Sequence, residues 1–195
     1  MCFHIARMIA VLMLGSLGAG CGNTPLDTVI AEDSGASSDG SAPDAGSCFA
    51  PASGRFVLRS ALSDSCLGSG EPTTVFGNPA FDTRFDADCS APAQEWDLSA
   101  TGSTGVFAFK NVGSAYNLDV RMAATQNGTP VIVYAATGLA NQQFEARPRS
   151  ASNYELRPQH ATASCVGATT PGAQISTCAP SDADQAWQFE RSDCL

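Results

Sequence analysis

Three stretches of this chain repeat the same order of residue types, and this repetition constrains the fold more than any other feature. Each repeat opens on an aromatic residue, any residue, an apolar residue and a basic residue, at 56–59, 107–110 and 154–157. A second motif with an apolar residue in its middle follows at 66–68, 117–119 and 165–167, and each repeat closes at 94–96, 142–144 and 185–187 on Gln-x-Trp or Gln-x-Phe. The alternation in the first motif predicts strands with one buried face.

The three closing motifs, in phase with two other recurring motifs, resemble those of the ricin B-type lectin family. The resemblance covers residues 48–195 and implies an all-β fold, a β-trefoil with three pseudo-repeats. One repeat cannot cover its own apolar face, so three repeats must close on one another. We therefore expect Trp96, Phe144 and Trp187 to meet in a shared core.

Eight cysteines without a C-x-x-C pair indicate disulfides formed in an oxidising compartment. The first and third repeats each carry one cysteine in the second motif and another before the closing Gln. The second repeat has Asn117 and Ala136 at these positions, so it lacks both cysteines together. This joint absence is expected if the two cysteines of a repeat are bonded to each other. The ends of a closed trefoil also lie side by side. The predicted disulfides are Cys66–Cys89, Cys165–Cys178 and Cys48–Cys194.

The first 47 residues predict export. An apolar run at 8–14 follows Arg7 and is too short for a membrane span, which indicates a signal peptide at 1–20. Small residues before Cys21 resemble a bacterial lipobox, so we expect Cys21 to carry a lipid, with conventional cleavage left open as the alternative. Residues 21–47 are acidic, rich in Ser, Gly, Ala and Pro, and free of Lys and Arg, which predicts a disordered linker. The expected location is the bacterial cell envelope, or the medium if the protein is secreted.

Charge and residue types exclude several function classes. The net charge is −9 and Lys110 is the only lysine, which argues against nucleic acid as a partner. His160 has no nucleophile assignable beside it and no pair of carboxylates is marked by spacing, so we predict neither an enzyme nor a cofactor. The aspartates at 82, 86 and 88 lack the glycine and closing glutamate of a calcium loop, so no metal site is predicted.

The resemblance also implies a shallow sugar site in each repeat, made of an Asp in the second motif, an aromatic residue on the next strand and an Asn before the closing Gln. The carboxylate accepts hydrogen bonds from two sugar hydroxyls, the ring covers the C–H face of a pyranose, and the amide binds a further hydroxyl. The second repeat has the full set: Asp119, Tyr134 and Asn141, with Gln142 to orient them. The corresponding residues are Gly68, Ala87 and Ala93 in repeat one, and Gly167, Ser176 and Asp184 in repeat three.

These residues predict a carbohydrate-binding protein with one site, in repeat two, for a galactose-like sugar. We expect Asp119 to be a surface carboxylate that contributes little to the folded core. Two other functions stay open. The trefoil could serve without sugar as a protein-interaction or protease-inhibitor scaffold, through the insertion at 68–88, or it could be a carbohydrate-binding module that accompanies a separately encoded hydrolase.

Overall fold

The computed structural model describes residues 48–194, which form twelve strands and four short 3-10 helices. The predicted signal peptide, the linker and Cys21 lie outside the described residues. The strands are β1 (Gly54–Ser60), β2 (Cys66–Val75), β3 (Asn78–Asp86), β4 (Glu95–Ala100), β5 (Val106–Asn111), β6 (Asn117–Val120), β7 (Thr129–Tyr134), β8 (Phe144–Pro148), β9 (Tyr154–Pro158), β10 (Ser164–Ala168), β11 (Ala173–Thr177) and β12 (Trp187–Arg191). The 3-10 helices are η1 (Arg121–Ala123), η2 (Ala140–Gln142), η3 (Ala183–Gln185) and η4 (Ser192–Cys194).

Six of the strands close into an antiparallel barrel. The pairs run β1 with β4, β4 with β5, β5 with β8, β8 with β9, β9 with β12, and β12 back to β1. The other six strands form three hairpins, β2–β3, β6–β7 and β10–β11. Each repeat therefore supplies two barrel strands and one hairpin, and the predicted all-β trefoil with three pseudo-repeats is confirmed.

The aromatic residues of the three closing motifs lie in the core, as predicted. Trp96, Phe144 and Trp187 are fully buried and belong to one hydrophobic cluster. The Trp96 indole Nε1 donates a hydrogen bond of 2.8 Å to the carbonyl oxygen of Leu67, and the Trp187 Nε1 donates one of 2.9 Å to that of Val166. In repeats one and three the indole thus ties the last strand to the second motif.

All three predicted cysteine pairs are disulfides of the structure: Cys48–Cys194, Cys66–Cys89 and Cys165–Cys178. The first closes the fold because β1 pairs with β12 from Phe56 opposite Arg191 to Ser60 opposite Trp187. The Arg191 N–H also donates a hydrogen bond of 3.0 Å to the carbonyl oxygen of Cys48. The two ends of the domain therefore lie side by side.

The insertion in repeat one forms the long β2–β3 hairpin. Its strands have 10 and 9 residues, whereas β6 and β7 have 4 and 6. β3 pairs with β7 of repeat two, with Ala80 opposite Tyr134 and Asp82 opposite Ile132. The hairpin of repeat one therefore lies against repeat two. Within residues 48–194, no helix has the length and apolar character needed to cross a membrane.

Replacing Cys48 and Cys194 together by alanine should lower the free energy of unfolding by about 5 kcal/mol, because the disulfide closes a loop with a sequence separation of 146 residues. Circular dichroism should still show the β-sheet fold, and urea denaturation measures the loss. An unfolding free energy equal to that of the wild type would show that the closure of β1 on β12 does not depend on this bond.

Candidate functional site

The second repeat brings three of the four predicted site residues to one cavity. Asp119 lies on β6, Tyr134 ends β7, and Asn141 lies on η2. β6 and β7 form the hairpin, with Asn117 opposite Tyr134 and Asp119 opposite Ile132. The three side chains line a cavity of about 250 Å³.

The fourth predicted residue, Gln142, is buried and does not line the cavity. Its Nε2 donates hydrogen bonds of 2.8 Å to Asp119 Oδ2 and 2.9 Å to the carbonyl oxygen of Ala135, and its Oε1 accepts one of 2.7 Å from the Thr137 N–H. Gln142 therefore joins β6, the 135–137 segment and η2, and it fixes the position of the Asp119 carboxylate.

Asp119 is only 3% exposed, so the expectation of a surface carboxylate is wrong. The side chain extends from β6 of the hairpin and accepts a hydrogen bond from Gln142 of η2. Loss of solvent around the carboxylate raises the pKa of Asp119. The amides of Gln142 and Asn141 and the charge of His160 act in the opposite direction. The carboxylate is thus held in place at an electrostatic cost.

The other two cavity residues are also fixed by local contacts. The Asn141 Nδ2 donates a hydrogen bond of 3.3 Å to the carbonyl oxygen of Val120. Tyr134 is half-buried and packs against a small cluster of Val75, Ala80 and Ile132. Two residues of this cluster, Val75 and Ala80, belong to the hairpin of repeat one, and Tyr134 also lines the cavity. The pair can offer an amide and an aromatic face to the same ligand.

Repeats one and three differ at the corresponding positions. Cys66 pairs with Asp86, Cys165 with Ser176 and Asn117 with Tyr134. The counterpart of Tyr134 in repeat one is therefore Asp86, and the prediction of Ala87 is wrong by one position. Repeat one has one more residue between this strand position and its second cysteine, Cys89, than repeat three has before Cys178.

The glycine of the second motif leaves no room for an aspartate in repeat one and little room in repeat three. A Cβ atom added at Gly68 would lie 2.5 Å from the carbonyl oxygen of Ala93, and one added at Gly167 would lie 3.3 Å from Asp184 Oδ2. The first distance is far below van der Waals contact and involves backbone. Repeat one therefore excludes an Asp at this position on steric grounds.

The closing glutamines are buried in all three repeats but bonded differently. Gln185 donates from Nε2 to Ser176 Oγ at 2.8 Å and accepts at Oε1 from the Ala179 N–H at 2.8 Å. Neither amide atom of Gln94 has a hydrogen-bond partner among the described protein atoms. Only repeat two pairs this amide with a carboxylate.

Sequence reasoning missed three large, exposed apolar residues that also line the cavity, Phe76, Met122 and Leu139. Phe76 lies at the tip of the repeat-one hairpin, where the Phe-Gly-Asn sequence at 76–78 is a turn signal that places a bulky ring at a hairpin tip.

His160, considered only as a candidate for catalysis, is close to the carbonyl oxygen of Ala124 through Nε2, at 3.1 Å, and supports the segment after η1. In the part of the chain that the structure describes, no group of three His, Cys, Asp or Glu side chains is arranged to hold a metal ion.

Comparisons with known proteins agree with this architecture. The sequence profile of the ricin-type β-trefoil lectin domain-like family matches residues 49–134 and again 92–178. No curated protein sequence matches the chain.

Solved structures share the fold at low sequence identity. The designed threefold-symmetric protein ThreeFoil superposes with a TM-score of 0.60 and 20% identity, over 70% of this chain and 97% of that one. A lectin of Polyporus squamosus, solved bound to the human-type influenza-binding epitope Neu5Acα2-6Galβ1-4GlcNAc, gives a TM-score of 0.62 and 18% identity over 72% of this chain and 50% of that one. An exo-β-1,3-galactanase of Clostridium thermocellum gives 0.61 and 19% over 72% of this chain and 31% of that one. This chain therefore spans half of the lectin and about a third of the galactanase.

Replacing Asp119 by asparagine should stabilise the fold at pH 7. The folded-state pKa of Asp119 is raised, so the folded state binds the proton more tightly than the unfolded state, and stability falls as the pH rises from the unfolded pKa through the folded one. The side-chain amide of the Asp119→Asn variant keeps an oxygen that accepts from Gln142, and it carries no charge. Thermal unfolding should give a higher Tm for Asp119→Asn at pH 7, and a difference that shrinks toward about pH 3, where Asp119 is protonated. A wild type at least as stable as the variant at pH 7 would contradict this account.

Proposed function

This chain belongs to the family of ricin-type β-trefoil lectin-like domains, and from that premise we propose that it is a carbohydrate-binding module with one site, in its second repeat, for a galactose-like sugar. One observation carries the proposal. Asp119, Tyr134 and Asn141 line a single cavity, and the counterparts of Asp119 and Tyr134 in repeats one and three are Gly68, Gly167, Asp86 and Ser176.

The chemistry of the three side chains fits a pyranose. The Asp119 carboxylate, held by Gln142, is an acceptor for two neighbouring hydroxyls, and charge-assisted hydrogen bonds are the stronger kind. The Tyr134 ring supplies a flat apolar surface for the C–H face of the sugar. An axial hydroxyl at C4, as in galactose, leaves one face of the ring rich in C–H groups and places two adjacent hydroxyls within reach of one carboxylate. Asn141 then serves a further hydroxyl.

The acidic groups of the cavity support a non-catalytic role. Glycoside hydrolysis ordinarily uses a pair of carboxylates on either side of the scissile bond. Asp119 is the only carboxylate among the residues that line this cavity. The likeness to the Clostridium galactanase, which this chain covers to 31%, supports a shared fold and carries no catalytic residue to this chain. We therefore propose binding without turnover.

The placement of the β2–β3 hairpin also favours sugar binding over a protein-interaction or protease-inhibitor scaffold. The β2–β3 hairpin, the element best suited to dock a protein, pairs with β7 and packs beside Tyr134. The hairpin therefore helps to form the proposed sugar site, because it packs against one of the site's residues. A single small site predicts weak binding, with a Kd on the order of a millimolar, so that display of many copies would supply avidity.

We further propose that residues 1–20 are removed on export, that residues 21–47 act as a spacer, and that Cys21 anchors the protein through a lipid. Small residues precede this cysteine and an acidic, Ser- and Gly-rich stretch follows it. The prediction is that wild-type protein made in a bacterial host partitions into the detergent phase and Cys21→Ser into the aqueous phase. Wild-type protein in the aqueous phase would rule out the anchor.

Titration with galactose or lactose, followed by NMR, tests the sugar site. Amide shifts should cluster at Asp119, Tyr134 and Asn141. Asp119→Ala should abolish binding, and Tyr134→Ala should weaken it by about 1–3 kcal/mol, or roughly 5- to 150-fold, because the stacking face is lost.

Asp184→Asn is the matched control, since it neutralises a carboxylate at the position of repeat three that corresponds to Asn141. This variant should bind as the wild type does. Shifts that cluster in repeat one or three, or undiminished binding by Asp119→Ala, would place the sugar on another repeat.

A further inference from the structure

Exposed apolar side chains converge on the cavity of repeat two. The described residues contain five large hydrophobic side chains that are exposed, and three of them line this cavity: Phe76 at 81%, Leu139 at 62% and Met122 at 60%. The other two, Phe49 and Leu62, do not line it. Apolar side chains grouped on a surface mark places of interaction, whereas single ones need no explanation. The cavity thus combines polar groups with an apolar rim formed by Phe76, Met122 and Leu139.

The backbone beneath this apolar rim is strained. Five non-glycine residues in the described part of the chain have positive φ, and three of them line the cavity: Phe76 at 51°, Met122 at 60° and Ala123 at 51°. Glycine or asparagine would adopt this left-handed conformation more easily than phenylalanine or methionine. Residues held in such conformations cluster at binding sites, where the surrounding structure maintains the strain. The strain and the exposure therefore point to the same surface.

Phe76 reaches this surface from a different repeat. It sits at the turn of the β2–β3 hairpin with Gly77, whose φ is 79°. Pairing of β3 with β7 places Ala80 opposite Tyr134, and the cluster of Val75, Ala80 and Ile132 fixes the hairpin against the same tyrosine. The hairpins of repeats two and three are shorter. The long β2–β3 hairpin of repeat one thus contributes Val75 and Phe76 to the lining of the cavity in repeat two.

We propose that the apolar rim is a subsite for the aglycone of the bound glycoside, and that the preferred ligand carries an apolar aglycone, such as an aryl group, on its sugar. This inference rests on the proposed function. A cavity of about 250 Å³ lies just below the range of about 300–1,000 Å³ found for drug-sized ligands, so it suits one sugar ring, and the group attached to that ring then meets the rim. An aromatic or alkyl group there would be desolvated by Phe76, Leu139 and Met122.

Two other occupants fit the rim less well. A specific protein partner needs about 800 Å² on each side, which three side chains around a small cavity do not supply. A membrane surface rich in anionic lipid would repel a chain with a net charge of −9. A small apolar group joined to a sugar matches both the size and the charge of the site.

Calorimetric or NMR titration with phenyl β-galactoside and methyl β-galactoside measures the contribution of the aglycone. The wild type should bind the phenyl glycoside several-fold more tightly. In Phe76→Asn and Leu139→Ser the ratio of the two affinities should fall toward one. Asparagine adopts the left-handed conformation more readily than phenylalanine, so Phe76→Asn should keep or raise the Tm. The ratio of the two affinities should fall in the same variant. A merely structural role of the ring would not produce this combination.

Leu62→Ser is the matched control because Leu62 is 59% exposed, close to the exposure of Leu139, and lies outside the cavity. It should leave both affinities unchanged. Equal binding of the two glycosides by the wild type would overturn the aglycone subsite and leave the sugar site standing. Binding of neither glycoside would overturn both proposals. Wild-type binding to phosphatidylcholine vesicles that is lost in Phe76→Asn would assign the rim to a membrane instead and overturn the subsite.

Discussion

The structure depends on a core that no repeat can build alone. The ring of Phe189, from repeat three, contacts Phe56 of repeat one and Phe109 of repeat two, each with ring centroids 6.2 Å apart. All three rings are fully buried, and each would be largely exposed if its repeat stood alone. Closure of β1 on β12 is what brings the rings together, and the Cys48–Cys194 disulfide holds the two chain ends at that closure. The hairpins that carry the candidate site rest on this barrel.

The same core buries the closing glutamine of each repeat, and the candidate site is built around one of these glutamines. Each closing motif buries a glutamine next to its core aromatic residue, and a buried amide without partners is costly. Repeat three satisfies Gln185 with Ser176, repeat one leaves Gln94 without a partner among the described atoms, and repeat two pairs Gln142 with Asp119. The hydrogen bond that satisfies the glutamine also holds the carboxylate at the cavity. The aromatic residues of the three motifs share one core, whereas the polar partners of the glutamines differ between repeats.

Much of this could be predicted from the sequence because the determining patterns are local. The recurrence of three motifs predicted three repeats that close on one another, and the joint difference at Asn117 and Ala136 predicted two of the disulfides. The polar cavity residues Asp119 and Asn141 and the aromatic Tyr134 lie within one repeat, and the family resemblance implied all three. What could not be predicted depends on tertiary packing and on strand register. The burial of Asp119 arises from packing of η2 over β6, and the position of Phe76 arises from pairing of β3 with β7, which no local motif encodes. The shift from Ala87 to Asp86 comes from one additional residue before Cys89, visible only in the strand register.

A crystal structure of the protein soaked with lactose would test the central claim most directly, because the three repeats place corresponding positions with different side chains on one scaffold. The account predicts density for a galactose ring in the cavity of repeat two, with two hydroxyls at hydrogen-bond distance from the Asp119 carboxylate and a C–H face against Tyr134. Density at the Gly68 or Gly167 positions of repeats one and three, with the cavity of repeat two lacking sugar, would contradict it.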